Sequence, residues 1–457
     1  MGTGGSITLV NGTTHDWRRT HQNSYQMAAW EFPQAIAAGT APRIYVEWDE
    51  RLLHEWRDDV GEVTYAIGDT GHTFQVQASV RDGKYDVRIY FENLATQGTP
   101  RGATLDLGWG YNGDVTFVLA SAGDDFISNT VPTSWMQNNL AILGDLTLRR
   151  LCMPGSHDAG MSVLNAHTFF GTAANCCTQT HSIRNQLELG VRYFDIRPVI
   201  SGGQYFTGHY GYVKLLNSWQ GANGESMAQV LSAVRDYTAK HKELVVLHLS
   251  HEFNTDVAND RYRVFTQEEW DRLLALVRDE LEAVLFIAKP ADVDLTTLKL
   301  KDFIGTGKAA VVVRVDPGDG KVGLGRFAGQ GFYPQCQYPI FDQYSNTDNI
   351  GQMATDQLSK MKANKPDGKA ACFLLAWTLT QTAAEAAAGF PPILMLGLLV
   401  NPRLYGYLYP ACTPDCFPNI LNLDCVSTST VTALAMALNA RAARSAGLPS
   451  GSVASTA

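Results

Sequence analysis

Apolar and polar residues alternate through roughly the first 120 residues of the chain, which is the period of an extended strand. In the segment 72–80, HTFQVQASV, every second residue from Phe74 onward is apolar. The dipeptides Asp82-Gly83 and Asn112-Gly113 each separate two strand-like runs, and both suit tight hairpin turns that need positive φ. The pattern predicts an antiparallel β-sandwich domain over residues 1–125.

From residue 126 the pattern changes to amphipathic helical segments separated by short, continuously apolar runs. Apolar residues at helical spacing fill 227–237, and the strand-like run LVVLHLS at 244–250 follows directly. Similar runs lie at 309–315, 371–377 and 419–425. This alternation predicts an α/β domain over 126–457 with a TIM-like (β/α) barrel. An open doubly wound sheet is the alternative, although no Gly-x-Gly-x-x-Gly follows the first strand.

Composition and charge limit the classes of partner that this chain is expected to bind. The 457 residues carry a net charge of -9, which offers no general attraction for nucleic acid, so we expect no nucleic-acid partner. No apolar run is long enough to predict a membrane span. The start, MGTGGS, lacks the pattern typical of a secretory signal and matches the Met-Gly-x-x-x-Ser myristoylation motif. The compartment stays open between cytoplasmic, membrane-peripheral and secreted.

Three features of the sequence each allow two interpretations. Cys412, Cys416 and Cys425 lie close together and could bind zinc, or could be buried thiols or part of a disulfide. The tryptophans of the first domain could be core residues or interfacial anchors for a lipid or a glycan. The apolar segment 389–400, GFPPILMLGLLV, could pack in the core or dip into a bilayer.

Polar residues that end the apolar runs of the second domain are the candidates for chemistry, because a parallel barrel places them at one mouth. They are His157, Asp158, Asp195, Arg197, His209, Arg314, Asp316, Trp377 and Asp424. Two histidines with separate carboxylates suit phosphodiester cleavage, because one imidazole takes a proton while the other gives one. An arginine suits the charge that develops on phosphoryl oxygens.

Four motifs carry a resemblance to a known family. GSHDAG at 155–160, QLELGVRYFDIRP at 186–198, GHYG at 208–211 and NILNLD at 419–424 together resemble the X-domain family of phosphatidylinositol-specific phospholipase C. The resemblance implies a distorted TIM barrel. It also implies attack of the inositol 2-hydroxyl on the neighbouring phosphorus, which releases diacylglycerol and leaves inositol 1,2-cyclic phosphate.

The resemblance also implies roles for individual residues. His157 looks like the general base, oriented by Asp424, and His209 looks like the general acid, supported by Asp158. Arg197 would stabilise the phosphoryl charge. As headgroup contacts we expect three further residues: Asp195, Arg314 and Trp377.

The second motif bears on the metal. Calcium-dependent members of the family carry Glu-x-Asp there, whereas this chain reads Asp195-Ile196-Arg197, which is similar to the bacterial metal-independent branch. We therefore expect no metal and no other cofactor. Calcium held by Asp158 and Asp195 is the alternative. The chain also departs from relatives at LHLSHEF, where Ser250, His251 and Glu252 stand in place of a lysine or glutamate.

Taken together, these features predict an enzyme that cleaves phosphatidylinositol-type lipids during transient contact with a membrane surface. Two alternatives remain. The same fold could act on a glycosylated inositol lipid or a soluble phosphodiester. The chain could also be a catalytically silent lipid-binding protein.

Overall fold

The computed structural model describes residues 3–51, 55–109, 113–122 and 125–448. Gly2 of the myristoylation motif and Asn112 of the second predicted turn lie outside these ranges. The chain forms two compact units. The first contains the chain up to Pro132, Leu398–Pro414 and the residues from Thr428 onward, and the second contains Thr133–Gly397 and Asp415–Ser427. These units differ from the predicted division into 1–125 and 126–457, because two C-terminal segments group with the N-terminal strands.

Strands of the first unit form a five-stranded sheet, in the order β11-β10-β1-β5-β3, and a six-stranded sheet, in the order β4-β2-β6-β7-β8-β9. The strands are β1 Gly4–Gly12, β2 Trp17–Tyr25, β3 Met27–Trp30, β4 Ala35–Ile36, β5 Arg43–Trp48, β6 Val60–Ile67, β7 Thr73–Arg81, β8 Lys84–Tyr90, β9 Thr104–Gly108, β10 Asp114–Ala122 and β11 Asp125–Ile127.

A single apolar core joins the two sheets. Trp17 and Phe74 of the six-stranded sheet and Phe117 of the five-stranded sheet pack together, with ring centroids 4.9 Å and 5.2 Å apart for the Trp17–Phe74 and Phe74–Phe117 pairs. The Asp82-Gly83 turn is confirmed: both residues have positive φ, and β7 pairs antiparallel with β8. The alternating pattern therefore identified the strands and their buried faces.

Two predictions for this region are wrong. The sheets are not wholly antiparallel, because β1 and β10 run parallel from Ser6↔Asp114 to Gly12↔Ala120. The strands that flank the second predicted turn, β9 and β10, lie in different sheets and do not form a hairpin. Alternation fixes which face of a strand is buried, but it does not specify the neighbouring strand.

The last described helix, α11 Thr430–Ser445, packs against β10 and β1 in the first unit. A Cβ atom on Gly12 would lie 2.9 Å from Cβ of Ala120 and 3.1 Å from Cβ of Ala437, so glycine and alanine permit a close approach of helix and sheet. The predicted barrel domain, 126–457, includes this helix, whereas its small residues fit the face formed by β1 and β10.

The second unit contains the remaining strands and most of the helices. Its strands are β12 Met153–Ser156, β13 Tyr193–Ile196, β14 Pro198–Ser201, β15 Gln204–Val213, β16 Ser218–Ser226, β17 Leu244–Ser250, β18 Phe253–Asn254, β19 Ala310–Asp316, β20 Phe332–Pro334, β21 Ile340–Phe341, β22 Cys372–Trp377 and β23 Ile420–Leu423. Its helices are α1 Trp135–Asn138, α2 Leu140–Leu143, α3 Ala173–Cys176, α4 Ile183–Glu188, α5 Met227–Lys240, α6 Gln267–Leu281, α7 Leu300–Ile304, α8 Ile350–Asn364 and α9 Ala383–Ala388, whereas α10 Ile393–Ala411 continues into the first unit.

Eight of these strands form one parallel sheet in the order β20-β19-β17-β13-β12-β23-β22-β21. The buried apolar runs predicted from the sequence are its central strands, and helices separate several of them in the chain. Among the described residues no pairing joins β20 to β21, the two edges. The parallel α/β architecture is therefore confirmed. A smaller sheet, β16-β15-β14-β18, extends from β13.

The apolar segment 389–400 is partly buried: Ile393, Leu396 and Val400 are buried, whereas Phe390 and Leu398 are exposed. No helix in the described part of the chain is long and apolar enough to cross a membrane.

A buried ion pair connects the start of β13 with the start of β17. Nε and Nη2 of Arg192 both donate to Oε2 of Glu243, at 3.0 Å and 2.9 Å, and both side chains are fully buried. Glu243 also accepts the backbone N–H groups of Met136 and Gln137. Asp195, three residues further along the chain, is not the partner of Arg192, because residues three apart along an extended chain point to opposite faces.

Replacing Glu243 by glutamine should destabilise the fold strongly, because it leaves the Arg192 charge buried without a counter-charge. We expect Glu243→Gln to lower the free energy of unfolding by about 3–5 kcal/mol in urea denaturation. The matched control is Glu268→Gln, which removes the exposed partner of Arg272 and should leave the midpoint unchanged. Equal midpoints for the two variants would contradict this prediction.

Candidate active site

The register of two parallel strands brings His157 beside Asp424. β12 pairs with β23 so that Ser156 lies opposite Leu423, and His157 and Asp424 are the next residues on each strand. The backbone N–H of His157 continues the ladder by donating to the carbonyl of Leu423 at 3.0 Å. Nδ1 of His157 lies 2.7 Å from Oδ1 of Asp424. The predicted pair is therefore formed at the carboxyl edge of the parallel sheet.

Asp158 turns away from its neighbour His157. It has a positive φ of 42° and is fully buried, and its backbone N–H donates to Oδ2 of Asp195 at 3.1 Å. Oδ2 of Asp158 lies 2.6 Å from Nδ1 of His209 on β15. The two adjacent residues of the GSHDAG motif therefore serve different partners.

Gly160 allows this loop to approach β15. A Cβ atom at Gly160 would lie within 2.6 Å of three side-chain atoms of Thr207, two residues before His209. Any larger residue would push the loop away from the strand that carries His209.

Arg197, directly after β13, connects the two histidine–carboxylate pairs. Its Nη2 lies 2.7 Å from Nε2 of His157 and 3.1 Å from Oδ2 of Asp195, while Nη1 lies 3.5 Å from Oδ2 of Asp158. A guanidinium can only donate hydrogen bonds, so Nε2 of His157 is the acceptor and carries no proton. Nδ1 then carries the proton and donates it to Asp424.

The charges in this cluster shift the pKa of several groups. Burial and the Arg197 charge lower the pKa of His157, but the carboxylates of Asp424 and Asp195 together outweigh them, so the net shift is upward. Burial raises the pKa of Asp195, yet the Arg197 guanidinium holds it below the ordinary value. Burial lowers the pKa of Arg197, but the carboxylates of Asp195 and Asp158 together outweigh it, so the net shift is upward. His157 therefore lies between a carboxylate that favours its imidazolium and a cation that opposes it.

The three predicted headgroup contacts occupy different environments. Asp195 is buried and paired with Arg197. Arg314 is almost fully buried; its Nη1 lies 2.9 Å from Nε2 of His248, and its Nη2 lies 3.5 Å from Asp316. Trp377 has no exposed surface, because all of β22 is buried. The prediction that Trp377 stacks on a headgroup is therefore wrong.

His248 belongs to the structural network of Arg314. Tyr193 and His248 share a hydrogen bond of 2.8 Å, and burial lowers the pKa of His248 to about 4, with Arg314 acting in the same direction. A neutral ring at this position accepts a hydrogen bond from the guanidinium.

Sequence reasoning missed Asp342 and Tyr344, which follow the very short strand β21. The rings of Tyr344 and His157 have centroids 5.3 Å apart. Burial raises the pKa of Asp342 to about 6, and the negative charge of Asp195 adds to the effect. A strand of two residues gives little apolar signal, so the polar residues after it were not recognised as a strand end.

The site and the cysteines both contain residue types that bind metal ions. Within the ranges of the chain that the structure describes, no group of three or more His, Cys, Asp or Glu side chains is arranged to hold a metal ion. The expected independence from metal stays a prediction.

Comparisons with known proteins confirm the resemblance seen in the motifs. No family model matches the chain. The chain is similar to a PI-PLC X-box domain-containing protein of Dictyostelium discoideum, with 29% identity over 138 residues, and to the 1-phosphatidylinositol phosphodiesterase of Listeria monocytogenes, with 33% identity over 140 residues. It is also similar to the variant-surface-glycoprotein phospholipase C of Trypanosoma cruzi, with 27% identity over 206 residues.

These matches are partial. They cover 27%, 30% and 38% of this chain and 17%, 39% and 48% of the respective relatives, so less than half of each relative is spanned. The solved structure of the phosphatidylinositol-specific phospholipase C from Listeria monocytogenes aligns with a TM-score of 0.37 and 16% identity, over 64% of this chain and 95% of that chain.

The pKa of His157 should depend on Asp424. We expect Asp424→Asn to lower the pKa of His157, because the amide removes the negative charge that favours the imidazolium while burial and Arg197 still oppose it. Histidine resonances followed by NMR across the pH range would measure the shift. Asp279→Asn, which changes an exposed carboxylate paired with Arg278, is the control and should leave the titration unchanged. An unchanged His157 titration in Asp424→Asn would contradict the electrostatic assignment.

Proposed function

We propose that the protein cleaves the phosphodiester bond of phosphatidylinositol-type lipids by acid–base catalysis. The observation that carries this proposal is the pair of histidine–carboxylate contacts, His157–Asp424 and His209–Asp158, joined by the guanidinium of Arg197. The catalytic strands belong, on this proposal, to a TIM-like barrel that closes between β20 and β21. The names of the relatives from Listeria and Trypanosoma support the same class of substrate.

His157 acts as the general base in this proposal. Its Nε2, which carries no proton, takes the proton of the inositol 2-hydroxyl, while the 2-oxygen forms a bond to the neighbouring phosphorus. Asp424 accepts the hydrogen bond from the Nδ1–H group throughout, which fixes the tautomer of the ring and stabilises the imidazolium that forms. The hydroxyl takes the place that Nη2 of Arg197 occupies beside Nε2.

His209 acts as the general acid on the leaving group. Its ring is protonated at the start, with Nδ1 bonded to Asp158, and it gives a proton to the glycerol oxygen as the bond between that oxygen and phosphorus breaks. The products are diacylglycerol and inositol 1,2-cyclic phosphate. The proton taken by His157 balances the proton given by His209, so the enzyme returns to its starting state after exchange with water.

Arg197 stabilises the negative charge that grows on the phosphoryl oxygens. Its guanidinium is held by Asp195 and contacts both His157 and Asp158, the carboxylate partner of His209, so it lies beside both histidine–carboxylate pairs. A cation in this position supplies the electrostatic role that calcium would otherwise fill. We therefore propose catalysis without metal.

Two residues remain as proposed headgroup contacts. Arg314 on β19 hydrogen-bonds to His248 on β17. Its Nε has no hydrogen-bond partner among the described atoms. Asp195 uses Oδ2 for Arg197 and for the N–H of Asp158, and a headgroup hydroxyl would meet its other oxygen.

A second candidate substrate is a glycosylated inositol lipid. The name of the Trypanosoma relative, variant-surface-glycoprotein phospholipase C, favours this candidate. The same two histidines and Arg197 would act on it, since the reacting atoms do not change. Parallel assays with both lipids distinguish the two substrates.

The two histidines should respond differently to the leaving group. We expect His157→Ala to reduce kcat by about 10²–10⁴-fold both on phosphatidylinositol and on a soluble inositol nitrophenyl phosphodiester, because both reactions need the base. His209→Ala should show such a loss only on the lipid, since nitrophenolate leaves without protonation. Equal losses for His209→Ala on both substrates would contradict the acid role, and a wild-type protein that cleaves neither would be a silent binder.

The reaction should proceed in the presence of a chelator. We expect EDTA to leave kcat on phosphatidylinositol unchanged, because Arg197 supplies the positive charge, and we expect Arg197→Ala to abolish activity whether or not calcium is added. The products should be followed by phosphorus NMR. Activity that is lost with EDTA and restored by calcium would overturn the metal-free proposal.

A further inference from the structure

A buried polar dipeptide that the mechanism does not use lies against the catalytic loops. Thr178 and Gln179 come just after α3 and have 0% and 1% of their surface exposed. Their side-chain hydrogen bonds all go to backbone atoms at or next to the proposed catalytic residues. A polar side chain is costly to bury unless it is hydrogen-bonded, so these partners indicate what the two residues do.

The amide of Gln179 connects the backbones that carry the general base and its carboxylate. Its Nε2 donates to the carbonyl of His157 at 2.9 Å and to the carbonyl of Leu423, the residue before Asp424, at 3.0 Å. Its Oε1 accepts the backbone N–H of Val426 at 3.0 Å, two residues after Asp424. One side chain therefore holds the backbone at His157 and on both sides of Asp424.

The end of the strand ladder explains why a side chain is needed here. The register of β12 with β23 ends at Ser156 and Leu423, and the N–H of His157 adds one further bond to the carbonyl of Leu423. Buried carbonyls beyond the end of a ladder need a donor from elsewhere. A primary amide has two N–H donors, so Gln179 can hold both strand ends at a fixed spacing.

Thr178 supports two strained residues of the same loops. Its Oγ1 donates to the carbonyl of Asp158 at 2.9 Å, and its own carbonyl accepts the backbone N–H of Cys425 at 2.7 Å. Asp158 and Cys425 have positive φ angles of 42° and 53°, which non-glycine residues rarely adopt. Such a backbone persists only where its surroundings hold it. Thr178 gives this support directly after His157 and directly after Asp424.

We propose that Gln179 is a positioning residue for the general base and that Thr178 is a positioning residue for the general acid. Gln179 sets the distance between His157 and its carboxylate. The hydroxyl of Thr178 sets the direction in which Asp158 meets His209. The inference rests on the proposed function, since it assigns two adjacent buried residues to the two halves of that reaction.

The first variant is Gln179→Met, which keeps the length of the side chain and removes its three hydrogen bonds. We expect kcat to fall about 10²-fold on phosphatidylinositol and on the soluble nitrophenyl ester, with KM unchanged, because a displaced base misaligns the reacting atoms. The pKa of His157, followed by NMR, should fall because its contact with Asp424 is loosened. Gln179→Glu, whose ionised carboxylate accepts but cannot donate, provides the same test if Gln179→Met does not fold.

The second variant is Thr178→Val, which removes only the hydroxyl bonded to the carbonyl of Asp158. We expect its kcat to fall about tenfold on phosphatidylinositol and to equal that of wild type on the nitrophenyl ester, because nitrophenolate leaves without protonation. Its His157 titration should be unchanged. The two adjacent positions are thus distinguished by the leaving group.

Asn419→Leu is the control for a loss of stability alone. Asn419 is buried just before β23, at the opposite end of that strand from Asp424, and its amide donates to three backbone carbonyls and accepts one backbone N–H. It therefore resembles Gln179 in burial and bonding, but it holds the amino end of the strand. We expect a lower midpoint of urea denaturation, while kcat per folded molecule and the His157 titration stay as in wild type.

The outcomes separate this inference from the proposed function. A folded Gln179→Met protein with the kcat and His157 titration of wild type would overturn the positioning role, and so would an equal loss of kcat in Asn419→Leu. Equal losses of Thr178→Val on the two substrates would overturn its assignment to the acid. A wild-type protein that cleaves neither substrate would instead refute the proposed function, while the His157 titration in Gln179→Met would still test the positioning role.

Discussion

The guanidinium of Arg197 is the contact on which the arrangement of the site depends. Taking a carboxylate out of water is costly unless it is paired, and Asp158 and Asp195 are both buried beside this cation. The same guanidinium hydrogen-bonds to His157. Since one group contacts two carboxylates and one imidazole, the positions of all four side chains are coupled.

Strand register explains how residues far apart in the chain reach this cation. Parallel pairing of β12 with β13 and β23 places the ends of three strands at one edge of the sheet, so His157, Arg197 and Asp424 follow from backbone hydrogen bonds. His209 comes instead from the small sheet that extends β13. The left-handed backbone at Asp158 is the local device that directs adjacent side chains to the two histidine positions.

The sequence was informative where a local motif or a long period carried the signal. The parallel strands, the Asp82-Gly83 turn and the His157–Asp424 pair could all be predicted, because each depends on local pattern or motif order. Strand partners in the first unit, the place of α11 and the Glu243 partner of Arg192 could not, because they depend on tertiary packing. The predicted headgroup contact of Trp377 was wrong for a related reason, since position at a strand end does not reveal whether a side chain is buried.

The site also shows how substrate binding and basicity can be coupled. Arg197 donates a hydrogen bond to Nε2 of His157, so its charge opposes protonation of this nitrogen. On the proposed mechanism, phosphoryl oxygens draw the guanidinium away from Nε2 and neutralise part of its charge. The Arg197 charge then opposes protonation of His157 less strongly, while Asp424 stays in place. The basicity of His157 therefore rises when the hydroxyl is aligned. Nδ1 of His209 is hydrogen-bonded to the carboxylate of Asp158. Such a partner suits the imidazolium form that a general acid requires.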